Sequence, residues 1–125
     1  MNITYNALND VIRFLTNDRL FIAIRAHDLN EVNNVLDHGA NINHARDCNH
    51  TPLHVAALHG NVDMVKLLLD RGANLGCLNL DGHSPLMLAE MQGHDAVADL
   101  LAEYETKLIY DDNFKFNKER IALCL

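Results

Sequence analysis

Apolar residues recur along this chain in short stripes of helical period. Leu53, Ala56 and Ala57 stand at i, i+3 and i+4, and Val62, Val65, Leu68 and Leu69 form a second stripe a few residues on. Each stripe is bracketed by residues that start or stop helices. Thr51 is suited to accept a hydrogen bond from an orphan amide at a helix start, and Pro52 fits the first helical position, where no N–H is missed. Gly60 and Gly72 follow the two stripes and supply the left-handed conformation that ends a helix. The pattern predicts helix, turn, helix and then a loop. That loop reads "NINHARDCNHTP" in one place and "NLGCLNLDGHSP" in another, with Asn49 and Gly82 at equivalent positions, both tolerant of positive φ. Such a loop is expected to project as a β-hairpin-like finger.

The same unit is written more than once. Thr51-Pro52-Leu53 recurs as Ser84-Pro85-Leu86, Ala56 as Ala89, Gly60 as Gly93, and Leu67-Leu68 as Leu100-Leu101, each 33 positions on. The same step back gives Leu20, Ala23 and the match of Gly39-Ala40-Asn41 to Gly72-Ala73-Asn74. A fixed period of this length indicates a stack of units, none of which buries its apolar face alone. The units are expected at 18–46, 47–79 and 80–111. Ahead of them Leu8, Val11, Ile12 and Leu15 make one more stripe, read as a capping helix over 1–17 that covers the exposed end of the stack. After them "NFKFNKERIALCL" keeps a weak register, so 112–125 reads as a degenerate fourth unit or a C-terminal capping helix. The abrupt end also fits a fragment of a longer protein.

These residues resemble the ankyrin repeat. The match is closest in 47–79, through Thr51, Pro52, Leu53, His54, Ala56, Ala57, Gly60, Val65, Leu67, Leu68, Gly72 and Ala73. In the third copy Ser84, Met87 and Glu90 replace the usual Thr, His and Ala, while Asp81-Gly82, Pro85-Leu86, Gly93-His94 and Leu100-Leu101 agree. The first copy departs most, with Arg19 in the Pro position and His27 in the Gly position, as suits a unit with no predecessor. The resemblance implies an all-α ankyrin-repeat solenoid of stacked helix-turn-helix units. It further implies that His54 is structural, bonded to the Thr hydroxyl and the neighbouring loop.

Composition narrows the function. A formal charge of −7 lacks the basic stripe that nucleic acid requires and favours a neutral or basic partner. Three cysteines, Cys48, Cys77 and Cys124, are odd in number and show no C-x-x-C spacing, which argues against a disulfide framework or zinc cluster and for a reducing compartment. No window approaches the ~18 consecutive apolar residues of a membrane span, and the start lacks a secretion signal, so a cytoplasmic chain is expected. Abundant Asn suits an AT-rich genome, such as that of an intracellular bacterium or a virus. Many ankyrin proteins of such organisms act on host proteins, so delivery as an effector is a further possibility.

Catalytic and metal readings are weak. His54 and His59 lie five apart rather than the four that put two ligands on one helical face, and "GHSPL" lacks the second Gly of a nucleophile elbow. No enzyme activity, cofactor, metal or small-molecule substrate is expected. The resemblance instead implies protein binding on the concave side, by a monomer, through finger tips and the exposed face of each first helix. The positions are Arg25 in the first unit, Asp47, Cys48, His50, Leu58 and His59 in the second, and Leu80, Asp81, His83, Met91 and Gln92 in the third. Leu58, Leu80 and Met91 stand out as apolar groups in slots that face water. The protein is expected to act as an adaptor, inhibitor or effector, or alternatively as the recruiting domain of a larger, possibly enzymatic protein.

Overall fold

The computed structural model describes the backbone of residues 4–109 and the side chains of residues 15–107. The side chains of Leu8, Val11 and Ile12, and the whole of 112–125, lie outside the described residues. Among the described residues there are six α-helices: α1 (Thr4–Arg25), α2 (Leu29–Asp37), α3 (Pro52–His59), α4 (Val62–Asp70), α5 (Pro85–Met91) and α6 (Asp95–Ile109). They pair as α1 with α2, α3 with α4 and α5 with α6. The first helices α1, α3 and α5 pack side by side, and α4 links α2 to α6 in a second layer behind them. The architecture is an all-α solenoid.

Local chemistry sets the helix starts. Asp28, Thr51, Asn61 and Ser84 each accept an N–H from the first turn of α2, α3, α4 and α5. In α3 the cap is reciprocal, because the His54 side chain also takes the Thr51 N–H. α1 is continuous across residues 17 and 18, so the N-terminal stripe and the first helix of the first unit form one rod. This explains Arg19. A proline at that point would remove a bond from the helix interior, whereas Arg19 reaches Glu31 on α2 at 2.7 Å.

Two apolar stripes differ from the sequence pattern. Pro52 through Ala57 are all buried, more than the one face marked by Leu53, Ala56 and Ala57, because α3 has α1 on one side, α5 on the other and α4 behind. A helix packed on three sides is apolar nearly all round. In α4 the buried set is Met64, Val65, Leu68 and Leu69, while Val62, the first helical residue beside the turn, is 38% exposed.

Polar bonds join the units at each level. Behind the helices the Asn74 N–H donates to Asn43 Oδ1 at 2.8 Å, and the Asn41 N–H to Asn17 Oδ1 at 2.8 Å. In front, His54 is fully buried and bridges two units. Its Nε2 donates to the His83 carbonyl at 3.0 Å, which leaves Nδ1 to accept from the Thr51 hydroxyl at 2.8 Å. The structural role implied for His54 is thus observed. The fingers are tight turns, and no strand occurs among the described residues. Backbone bonds close their tips, Arg46 N–H to the His50 carbonyl at 2.9 Å and Asn49 N–H to the Arg46 carbonyl at 2.7 Å in the first, and Asn79 N–H to the His83 carbonyl and Gly82 N–H to the Asn79 carbonyl, both at 3.0 Å, in the second. Asn49 and Gly82 take φ of +61° and +80° there, and Cys48 also turns left-handed at +59°.

Gly60 has a double constraint. It ends α3 at φ +73°, and a Cβ at this position would stand 2.5 Å from the ring of His94. That ring packs against the turn and donates Nε2–H to the Leu58 carbonyl at 3.1 Å, tying the third unit to the end of α3. Gly93 has a matching φ of +74° but nothing within 4 Å of its would-be Cβ.

Two stability predictions follow from these junctions. Gly93→Ala should cost about 1–2 kcal/mol from backbone conformation alone. Gly60→Ala should cost at least ~1 kcal/mol more, because the His94 bond is also lost. Urea unfolding of the two variants measures the difference, and equal costs would show that His94 moves aside freely. His54 gives the second prediction. Burial holds its pKa below the ordinary 6.5, outweighing the His83 carbonyl, which raises it. Below about pH 6.5 the unfolded imidazole takes a proton that the folded one refuses, so stability is full above that pH and falls as pH descends, until the folded imidazole also protonates. His54→Gln should lower stability by about 1–3 kcal/mol at pH 7.5. It should also remove this component of the acid-side decline, as thermal melts across pH 5–7.5 would show.

Candidate partner-binding groove

Between α1, α3 and the first finger lies a pocket of about 350 Å³. Its apolar part is Phe21 from α1 with Val55 and Leu58 from α3, at 1%, 7% and 38% exposure. Its polar part is Arg25 at the end of α1, Arg46, Asp47 and His50 on the finger, and His59 at the end of α3. The lining side chains come from both of the first two units. The pocket therefore belongs to their junction.

Several contacts fix its walls. The Arg46 guanidinium lies 5.3 Å from the centroid of the Phe21 ring and bonds Asp18 on α1 through Nη1 at 3.2 Å. One residue thus clamps the finger to α1 by a cation–π contact and an ion pair. His50 is held from both ends. Its Nε2 accepts from the Asn79 side-chain amide at 3.2 Å and its Nδ1 donates to the Asp47 carbonyl at 3.2 Å. His59 meets the edge of the His27 ring at 6.0 Å between centroids, and His27 Nδ1 accepts from the Asn61 amide at 2.6 Å. His27 holds the Gly position of its unit with φ +57°.

Of the residues singled out in the sequence, Arg25, Asp47, His50, Leu58 and His59 converge on this pocket. The others do not line it. Cys48 is exposed at the first finger tip, where its carbonyl accepts from the Leu80 N–H at 2.9 Å. Leu80 and Asp81 are exposed on the second finger, His83 is half-buried below them, and Met91 and Gln92 close α5. Leu80 and Met91 are 76% and 61% exposed, with Met87 at 44% one turn before Met91. These side chains continue the same side of the stack one unit further on.

Sequence reasoning missed Phe21, Val55 and Arg46. Helical spacing carried the first two, since Phe21 lies four residues before Arg25, and Val55 three before Leu58 and four before His59. Arg46 had no such signal. Only the fold brings its side chain across to Phe21. As for metal binding, no group of three or more His, Cys, Asp or Glu side chains among the described residues is placed to hold an ion. No helix among them is long and apolar enough to cross a membrane.

Comparison with known proteins agrees with this architecture. A family model described as ankyrin repeats matches residues 20–112 in three copies. Among curated proteins none matches the chain. Ankyrin repeats generally serve as protein–protein interaction modules and are typically without enzymatic activity of their own. With three units in register and the helix-pair stack they form, the chain belongs to the ankyrin repeat family.

Proposed function

We propose that the protein binds a partner protein on the side bearing the fingers and first helices, and that the pocket at the junction of the first two units is the main point of purchase. It acts by occupancy, as an adaptor, inhibitor or effector, as a monomer and without cofactor or metal. The observation that carries this reading is the joining of exposed Leu58 to an apolar floor of Phe21 and Val55 within a charged rim. Interfaces concentrate their energy where a bulky side chain enters such a desolvated recess, while polar neighbours exclude water. Leu80, Met87 and Met91 extend the apolar surface along the stack, and Cys48, Asp81, His83 and Gln92 border it.

Capture from lysate of the source organism tests the reading. Wild type and a Val62→Glu control, altered on the second layer, should retain the same protein. Leu58→Glu should lose at least ~tenfold in retention, since a buried unpaired charge at an interface costs more than ~1.4 kcal/mol. Adding Met91→Glu should deepen the loss. Equal retention by Leu58→Glu, with helicity unchanged, would move the binding surface to the second layer of helices.

A further inference from the structure

The rim of the pocket carries one unpaired charge of each sign. Arg25 has no carboxylate within ion-pair distance among the described residues. Asp47 likewise has no cation within ion-pair distance among them, although both line the same recess. The remaining charge there, Arg46, is already answered by Asp18 at 3.2 Å. His50 is committed at both ring nitrogens, Nδ1 to the Asp47 carbonyl and Nε2 to the Asn79 amide.

The two unpaired groups stand on different elements. Arg25 is the last residue of α1, where its charge also complements the negative end of the helix dipole. Asp47 opens the turn of the first finger. Leu58, on α3, lines the same recess, so a cation and an anion are carried by separate walls beside one apolar patch.

We infer that the occupant of this groove is a segment of a partner protein in which an acidic and a basic side chain flank one bulky apolar residue. The carboxylate faces Arg25 and the cation faces Asp47. This rests on the groove being the binding surface, and it adds the chemistry and direction of what binds. A recess of about 350 Å³ lies at the small end of ligand pockets, which run roughly 300–1,000 Å³, and suits one large side chain with its adjoining backbone. Opposite charges on the two walls give the segment a direction. A reversed segment sets like charges against each other, and like-charge juxtaposition is a strong source of discrimination. A partner of uniform charge, whether acidic or basic, would meet repulsion on one wall.

The test is selection of random peptides displayed on phage against the wild-type protein, followed by titration of the recovered peptides. The expected consensus is an aliphatic or aromatic residue with Asp or Glu on one side and Lys or Arg on the other, in a single order. Leu58→Glu should abolish binding of these peptides. Arg25→Glu should weaken them roughly three- to tenfold, an effect that shrinks at about 0.5 M salt. Selection against the Arg25→Glu/Asp47→Lys double variant should return the consensus with its charges exchanged, a result no loss of folding can produce. Peptides with uncharged or like-charged flanks that still require Leu58 would overturn this inference and leave the groove standing. Peptides indifferent to Leu58→Glu would remove the groove itself as the binding surface, and recovery of no peptide would overturn both.

Discussion

A pair of helices of eight or nine residues has too little surface to bury its own apolar face, and everything else in this protein answers that deficit. α3 meets it by being enclosed, with α1 and α5 on its flanks and α4 behind, so that Pro52 through Ala57 are all out of water. Small side chains make the enclosure possible. Ala23, Ala56, Ala57 and Ala89 let successive first helices approach closely, while Leu20, Leu53, Met64, Leu68, Val97 and Leu101 fill the space between the layers. The core is therefore one continuous ribbon shared by all units, and the protein's stability resides in the interfaces as much as in the helices.

Apolar contact alone would let adjacent units slide. Directional bonds prevent it at three levels of the stack. His54 fixes the base of the second finger, Asn43 receives the backbone of Asn74, and His94 crosses to the carbonyl of Leu58. Each joins residues about one repeat apart, and each uses a buried or half-buried polar group whose loss of hydration is recovered only in the correct register. The bonds among the fingers, Leu80 to Cys48 and Asn49 to the Leu78 carbonyl, extend this alignment to the tips. Exposed pairs such as Arg71 with Asp37 lie on the outer side and contribute little by comparison.

Much of this was legible in the sequence because the repeat supplies redundancy. Thr51, Ser84, Gly60 and Gly93 announce the same helix ends at the same interval, and the observed caps and left-handed turns stand where those residues fall. The burial of Met64 and the exposure of Val62 were not legible, since a periodic stripe gives the angle of a face but not how far the neighbouring pair reaches along it. The finger turns were anticipated at Asn49 and Gly82, yet strand pairing depends on cross-strand bonds that a single sequence does not display. Five residues of the pocket were found by position within the unit. Phe21 and Val55 were passed over because an apolar residue on a first helix reads as core, which they mostly are, and Arg46 because its contact crosses from finger to helix.

The pocket is built from two units, and this ties its existence to the docking of the first helix pair on the second. Solenoids come apart from their ends, where a unit is held by one interface instead of two. Whenever α1 and α2 lift away, Phe21 and Arg25 leave with them and the recess disappears. Apparent affinity is then the intrinsic affinity scaled by the docked fraction, and an occupant holds the end of the stack closed in return. The amide of Asn61 on His27 is a latch across that seam, so substitution of Asn61 would tune binding without touching the bound segment.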